Sequence, residues 1–366
     1  MAAALAAAVY AGIRVKRDLV DFEVYRTAGA RVLARAPLYR PEDGHYQFKY
    51  LPAFALAVTP VALLDVEPAR AVWFAFSAVL LVVFVRQSLR GLPDRRTSTT
   101  RLAWLVALLL GRFFLQELAL GQTNLLLGVV LLSALLSAAR GHRVAAGALV
   151  GAAIFVKPYA AIFVPWLAAT RGAAALGASL AVVGVGLVVP ASVYGWAGNL
   201  ALLGAWFDTV TATTAPNLAF PENISLAAMW ARWIGPGSAA SWLALASGAG
   251  LGGLALTAWL GRRRAARADY LEFALLLLII PLISPQGWDY VLLLGAPAVV
   301  LVLDRFGTLP RAWRGVAAAA LFVMGFTIFD LWGRATYARL MSWSVVSVAA
   351  IALALVLVEL RRLGRA

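Results

Sequence analysis

The chain has 366 residues, of which 63% are hydrophobic and only 13% are charged. This leaves too few polar residues to cover a water-exposed surface, which excludes an ordinary soluble globule. The net charge of +15 would suggest a nucleic-acid partner in a soluble protein, but here nearly all arginines fall in the gaps between apolar runs. This alternation follows the positive-inside rule, so the charge indicates membrane topology and predicts no nucleic-acid partner.

The apolar runs predict an all-α, polytopic integral membrane protein that forms one transmembrane domain over residues 1–366. They lie at 1–13, 51–64, 69–89, 102–118, 122–139, 144–156, 158–169, 173–194, 238–260, 270–283, 289–303, 314–332 and 340–360. Several are shorter than the ~20 residues of a perpendicular span, so we predict about 11 to 13 transmembrane or re-entrant helices. The first run lacks the cleavage pattern of a signal peptide and is expected to be an uncleaved helix.

The arginine-rich gaps predict which side of the membrane each connection faces. The gaps at 140–143, 262–267 and 305–314 become cytoplasmic in one consistent threading. That threading puts outside Gly121–Asn124, the long loop 195–237, the Ser284–Asp289 turn and the 333–340 turn. The basic segment 86–101 is also cytoplasmic by this rule. We reconcile it by letting 50–64 enter the membrane and return, which leaves the loop 14–50 outside.

The chain contains no cysteine and only two histidines, His45 and His142. Disulfides, thiolate metal sites and cysteine nucleophiles are therefore excluded, and a histidine-rich metal site is excluded as well. We predict no bound metal and no cofactor. The usage rich in Ala, Arg and Leu is typical of a GC-rich bacterial genome.

The first loop, 14–50, carries charged residues among apolar ones at helical spacing, which predicts an amphipathic segment lying in the headgroup layer. Asp21 and Tyr25 are four residues apart and share a face of this helix. A carboxylate at the membrane surface can be a general base for a lipid-proximal hydroxyl, or it can pair with a nearby arginine. The spacing alone leaves both interpretations open.

Two polar interruptions occur inside apolar runs: Gly121-Gln122-Thr123-Asn124 and Lys157-Pro158. Lys157 is one of three lysines, and a lysine at membrane depth indicates a functional site by default. The alternative is a lysine that snorkels from a helix end next to a proline.

Two later segments combine tryptophan with polar side chains on the outer side. Loop 195–237 is rich in tryptophan, amide and acidic residues, and the second segment is Ser284-Pro285-Gln286-Gly287-Trp288-Asp289-Tyr290. Indole faces with amides and carboxylates are typical of carbohydrate sites, although an interfacial tryptophan belt explains the indoles equally well. The sidedness predicts one outer cavity lined by Asp21, Gln122, Asn124, Asn223, Trp288 and Asp289.

In this order the motifs resemble glycosyltransferase family 87, the polyprenol-phosphate-mannose-dependent mannosyltransferases of GT-C fold. The resemblance covers most of the chain. It rests on Asp21-Phe22-Glu23-Val24-Tyr25 with Ala28, Leu38-Tyr39, Phe48-Lys49-Tyr50-Leu51-Pro52, Gly121-Gln122-Thr123-Asn124, Ala146-Gly147, Lys157-Pro158, Asn223-Ile224-Ser225-Leu226, Ser284-Pro285 and Trp288-Asp289. The family often has histidine where this chain has Tyr290 and glutamine where it has Ile224.

The resemblance implies that Asp21 is the catalytic base of an inverting mannosyl transfer at the outer face of a bacterial inner membrane. The implied partners are a polyprenyl-phosphate sugar donor, a glycolipid or polysaccharide acceptor and membrane lipids. The residues expected to bind these substrates are Tyr25, Lys49, Tyr50, Arg112, Gln122, Asn124, Lys157, Asn223, Ser225, Trp288, Asp289 and Tyr290. Of these, Lys157, Lys49, Arg112, Gln122 and Asn124 are the candidates for stabilising the leaving phosphate.

Two other functions compete with this prediction. A transporter or flippase of lipid-linked sugars would use the broken segments near Gly121 and Pro158 to coordinate its cargo. Against it, no inverted repeat is visible, and an acid in an outer amphipathic loop has no transport role. A non-catalytic membrane subunit would have little reason to keep a lysine and amides inside its spans.

Overall fold

The computed structural model describes residues 19–265 and 267–365 and confirms the predicted all-α class, since those residues form helices and no β-strand. The apolar run at 1–13, predicted to be the first helix, lies outside the described residues. The chain divides into two compact units. Of the described residues, the first unit comprises 19–84 and Leu115–Thr213, and the second comprises Val85–Phe114, 214–265 and 267–365.

The α-helices are numbered here in chain order through the described residues. They are α1 Val20–Leu33, α2 Pro52–Ala57, α3 Thr59–Ala62, α4 Val66–Gly91, α5 Thr99–Leu120, α6 Asn124–Ala139, α7 Arg143–Val156, α8 Phe163–Arg171, α9 Ala173–Val188, α10 Ala191–Asn217, α11 Leu226–Ile234, α12 Ser238–Leu260, α13 Asp269–Ile283, α14 Ala296–Arg305, α15 Arg311–Phe326, α16 Phe329–Trp332, α17 Arg334–Ser342 and α18 Val345–Arg362. Short 3-10 helices follow several of them, including Pro41–Tyr46 and Pro158–Ile162.

Within the described residues, four stretches are long and apolar enough to cross a membrane: Val66–Gly91, Thr99–Leu120, Ser238–Arg263 and Asp289–Thr308. The number rises to six if two bent pairs, α9 with α10 (90°) and α17 with α18 (55°), each count as one span. The chain is therefore a multi-pass membrane protein. Fewer helices pass this length criterion than the number of predicted segments, because runs such as those of α6 and α7 are shorter than a full span.

The segment 195–237, which the sequence suggests is a long loop, is largely helical. Helix α10 covers Ala191–Asn217 with a break at Gly195, whose φ is 72°, and α11 covers Leu226–Ile234. Glycine tolerates this positive φ without the Cβ clash that other residues suffer. The tryptophans of this segment are therefore carried mostly on helices.

Helices α7 and α9 of the first unit pack closely through two glycines. A Cβ on Gly147 would lie 2.0 Å from the carbonyl oxygen of Ala175, and one on Gly151 would lie 2.6 Å from that of Ser179. The four-residue spacing puts both glycines on one face of α7, where small residues let two backbones approach. This packing fixes the C-terminal end of α7, which is followed directly by Lys157.

The core of the second unit is built from the apolar faces of α13, α14 and α18, which are buried along most of their length. The hydroxyl of Tyr270 donates to the carbonyl oxygens of Ser88 (2.6 Å) and Pro297 (3.3 Å). A Cβ on Gly325 would lie 2.7 Å from the carbonyl oxygen of Leu109, so α5 and α15 also pack closely there. These contacts help to hold the helices of the second unit together.

Candidate active site

Asp21 lies in the first turn of α1, on a helix whose apolar face is anchored in the first unit. Its neighbours Leu19, Phe22 and Tyr25 are fully buried and belong to one hydrophobic core. The sequence predicts this helix, because apolar residues recur at three- and four-residue intervals between charged ones. A buried anchor on each side of Asp21 holds its carboxylate in a fixed position.

The turn Gly121–Asn124 packs directly against α1. Gly121 has a φ of 71°, and a Cβ at this position would lie 2.8 Å from the Cβ of Phe22. The indole nitrogen of Trp73 donates to the Gly121 carbonyl oxygen at 2.8 Å. Only glycine combines this backbone conformation with such a close approach, so Gly121 brings Gln122 next to Asp21.

Gln122 is the centre of a hydrogen-bond network. Its side-chain oxygen accepts from the hydroxyl of Tyr25 (3.2 Å), from the Lys157 ammonium (3.2 Å) and, more weakly, from the hydroxyl of Tyr50 (3.4 Å). Its amide group hydrogen-bonds the carboxylate of Asp21. Four predicted site residues, Tyr25, Tyr50, Gln122 and Lys157, thus lie together around Asp21.

Two lysines lie beside this network. The Nζ of Lys157 lies 5.5 Å from the centre of the Tyr50 ring, over its face, in addition to its bond to Gln122. These contacts favour the site interpretation of Lys157 over snorkelling. The indole nitrogen of Trp206 donates to the carbonyl oxygen of Lys49 at 3.1 Å and fixes its main chain, while the Lys49 ammonium attracts Asp21.

Burial raises the pKa of the Asp21 carboxyl above its ordinary value. The Gln122 hydrogen bond and the electrostatic interactions with Lys157, Lys49 and His45 act in the opposite direction. Burial also lowers the pKa of Lys49, and the charge of Asp21 partly restores it. A carboxylate with a raised pKa is a better proton acceptor than one in water, as a general base requires.

Asn124 contacts two residues that the sequence analysis did not single out. Its side-chain nitrogen donates to Glu117 at 2.7 Å, and its oxygen accepts from the hydroxyl of Tyr159 at 3.3 Å. Glu117 is fully buried and also accepts from the backbone N–H of Leu125 at 2.9 Å, so it caps the start of α6. Glu117 is the one carboxylate inside the apolar run 102–118, and the argument that selected Lys157 would also have selected it.

The second unit holds another polar cluster, centred on Asp289. The Nη1 of Arg112 lies 3.0 Å from the Oδ2 of Asp289, and the Nε of the same arginine donates to the carbonyl oxygen of Met324 at 3.2 Å. Asp289 is 2% exposed, so this ion pair is shielded from solvent. Arg112 and Asp289, both predicted to bind substrate, therefore bind each other.

Asn223 and Ser225 hold the backbone of the second unit. The side-chain nitrogen of Asn223 donates to the carbonyl oxygens of Asn217 (3.0 Å) and Pro285 (2.8 Å). The hydroxyl of Ser225 accepts from the N–H of Ala228 at 3.1 Å and caps α11. Both residues are buried, and these bonds account for their presence in structural terms.

Trp288 and Tyr290 lie on either side of Asp289 in the chain. Trp288 pairs with Asn223 in an isolated antiparallel bridge, and its ring contacts Phe220 edge-on with centroids 5.6 Å apart. Tyr290 is buried. Among residues 19–265 and 267–365, no three histidine, aspartate or glutamate side chains are grouped as metal ligands would be. The prediction of a metal-independent site stays a prediction.

The family model of glycosyltransferase family 87 matches residues 48–285, which is more than half of the chain. The chain belongs to this family. The match confirms the family that the motifs suggested, and it indicates a glycosyltransferase. It includes Lys49, Gln122 and Lys157, whereas Asp21 and Asp289 lie outside the matched residues. No curated protein and no solved structure matches the chain.

Proposed function

We propose that this glycosyltransferase transfers mannose from a polyprenyl-phosphate donor to a glycolipid or polysaccharide acceptor, with inversion at the anomeric carbon. The observation that carries the proposal is the environment of Asp21. Its carboxylate is held by the Gln122 amide, and two lysines lie near it. This gives one base and an adjacent cationic region, which are the two requirements for displacing a phosphate from a sugar.

In the proposed step, an acceptor hydroxyl loses its proton to the Asp21 carboxylate. Its oxygen forms a bond to the anomeric carbon on the face opposite the phosphate, and the bond between that carbon and the phosphate oxygen breaks. The electron pair leaves with the polyprenyl phosphate. One displacement of this kind inverts the configuration and needs no enzyme nucleophile.

Lys157 and Lys49 are the groups that would stabilise the leaving phosphate. Both lie near Asp21, and Lys157 is held in place by Gln122 and by the face of Tyr50. Fixed cations are effective at a site of developing negative charge because they need little reorganisation during the reaction. The amide of Gln122 links this cationic region to the base.

The arginine distribution supports an active site on the outer face of a bacterial inner membrane. Single-cysteine variants at the exposed positions 220, 285 and 336, which the threading puts outside, and at the exposed positions 140 and 263, which it puts inside, test this sidedness in a chain without native cysteine. We expect a membrane-impermeant maleimide to label the first three in intact cells. Labelling at 140 or 263 in intact cells would overturn the topology.

The function itself is tested by incubating the purified protein with radiolabelled polyprenyl-phosphate sugars and a lipid extract. We expect a new labelled glycolipid from the mannosyl donor, and none from the Asp21→Asn variant. Movement of intact labelled donor across the bilayer of proteoliposomes, without a new product, would identify a flippase instead.

A further inference from the structure

A groove of about 360 Å³ runs along α1 in the first unit, next to the face that carries Asp21. Five of its lining residues come from one stripe of α1, and the others come from the connection after it and from α4. They are Val20, Glu23, Val24, Thr27, Arg31, Asp43, Tyr46, Phe48 and Arg70. Its volume lies at the lower end of the range of small-molecule sites, roughly 300–1,000 Å³.

Two ion pairs form the polar walls of this groove. The Nη1 and Nη2 of Arg31 donate to the two carboxylate oxygens of Asp43 at 2.5 and 2.7 Å, and the Nε of Arg70 lies 2.8 Å from the Oε1 of Glu23. The exposed fraction of these four side chains is between 14% and 30%, so each pair is held in place. The charges cancel within each pair, and the groove therefore offers oriented donors and acceptors without net charge.

An aromatic ring completes the groove. Tyr46 is 52% exposed, and it lines the groove together with the buried Phe48 of the same segment. A ring face next to fixed carboxylates and guanidinium groups matches a sugar ring, which has an apolar C–H face and hydroxyls around its edge. A phosphate would meet Glu23 and Asp43, and a lipid chain would desolvate both ion pairs.

The groove and the Asp21 carboxylate share two structural elements. Val20 and Asp21 are consecutive on α1, where successive side chains are turned by about 100°. In the connection after α1, Tyr46 and Phe48 line the groove while Lys49 attracts Asp21. A ligand in the groove would therefore lie on the face of α1 that adjoins the base.

We propose that this groove binds a neutral pyranose ring of the acceptor and presents its hydroxyl side to Asp21. The proposal rests on the proposed transferase function and adds the chemical class of its acceptor, an uncharged sugar. Arg31 and Asp43 would hold a pair of adjacent hydroxyls on one wall, and Glu23 with Arg70 would do so on the other. Tyr46 would cover the apolar face of the ring.

The test uses a photoreactive probe, an octyl mannoside that carries a diazirine on its alkyl chain, with the full-length protein in nanodiscs. We expect covalent labelling at residues 20–48 that excess methyl mannoside suppresses and inorganic phosphate does not. Thr27→Trp, which fills the groove from an exposed position of α1, should reduce this labelling about tenfold. Leu33→Trp is the matched control, since Leu33 is also exposed on α1 but lies outside the groove lining.

Labelling elsewhere in the chain, labelling that phosphate suppresses, or equal labelling of the two tryptophan variants would overturn the groove assignment. Thermal unfolding of both variants checks that they are folded. The outcome is separable from the transferase function, because Asp21→Asn should keep the labelling and lose transfer. If Asp21→Asn abolishes transfer while the groove stays unlabelled, the transferase proposal stands and the groove proposal falls.

Discussion

Two of the polar clusters in the described residues, one in each unit, contain a buried or partly buried aspartate, and the partners of these two aspartates differ in charge. In the second unit, Asp289 is in direct contact with Arg112 at 3.0 Å. In the first unit, the neutral amide of Gln122 hydrogen-bonds the Asp21 carboxylate. Lys157, Lys49 and His45 interact with this carboxylate electrostatically. A carboxylate bound to a guanidinium is a poor proton acceptor, whereas one held by an amide is available for a substrate proton.

The largest expected effect is on turnover, and it should differ between variants of the two aspartates. Asp21→Asn should lower turnover 10²- to 10⁴-fold, roughly the range for loss of a general base, because the amide keeps the shape and the Gln122 contact but accepts no proton. Asp289→Asn should have a much smaller effect. Turnover with the polyprenyl-phosphate sugar measures both variants. Activity of Asp21→Asn within about threefold of wild type would make Asp289 the next candidate for the base.

Substitutions in the Arg112–Asp289 cluster should mainly lower the stability of the folded protein. Arg112→Met leaves the Asp289 carboxylate buried without its cation, which typically costs about 3–5 kcal/mol. The double variant with Asp289→Asn should recover much of this loss, because the buried charge is then gone. Thermal unfolding in detergent measures both, and Arg334→Met, at an exposed arginine of the same unit, is the control. An additive double variant would contradict the pairing.

Lys157→Met should weaken binding of the polyprenyl-phosphate donor about tenfold and slow transfer, because methionine fills the volume without the charge that the phosphate needs. The donor dissociation constant is measured directly. Arg143→Met, at the exposed first residue of α7, the helix that Lys157 follows, should leave the dissociation constant unchanged. Equal dissociation constants for wild type and Lys157→Met would mean that the lysine only holds Gln122.

The smallest expected effect is a shift in pH dependence. Asp21 must be deprotonated to act as a base, so kcat/KM should fall with decreasing pH through the raised pKa of this carboxyl. Lys49 lowers that pKa by its charge. Lys49→Gln should therefore move the acid limb to higher pH, and Arg40→Gln, an exposed control in the same unit, should not. An acid limb that stays in place would remove Lys49 from the site.

The sequence identified the first cluster well, because polar residues inside apolar runs are conspicuous. Gln122 and Lys157 are 35 residues apart and were both selected by this argument, and the structure joins them by a hydrogen bond. Glu117 was not predicted, because Arg112 was the one charged residue selected from the run 102–118. Its role in capping α6 depends on Asn124 and Leu125, whose positions follow only from the turn at Gly121.

The second cluster was harder to predict from the chain. The pairing of Arg112 with Asp289 joins residues 177 apart in sequence, and no local pattern specifies it. Arg112 was therefore grouped with the lysines as a phosphate ligand. The helical content of 195–237 was not predicted for a different reason. Tryptophans and polar groups suggested a loop, whereas α10 continues to Asn217 after the break at Gly195.

The proposed reaction is a single displacement assisted by Asp21, and the anomeric configuration of the product tests this step most directly. The purified protein is given a polyprenyl-phosphate mannose of defined configuration, and the new linkage is assigned by NMR. We expect the opposite configuration in the product, since one base and no enzyme nucleophile give one inversion. A product with the donor's configuration would require a second displacement and would contradict the assignment of Asp21 as the base.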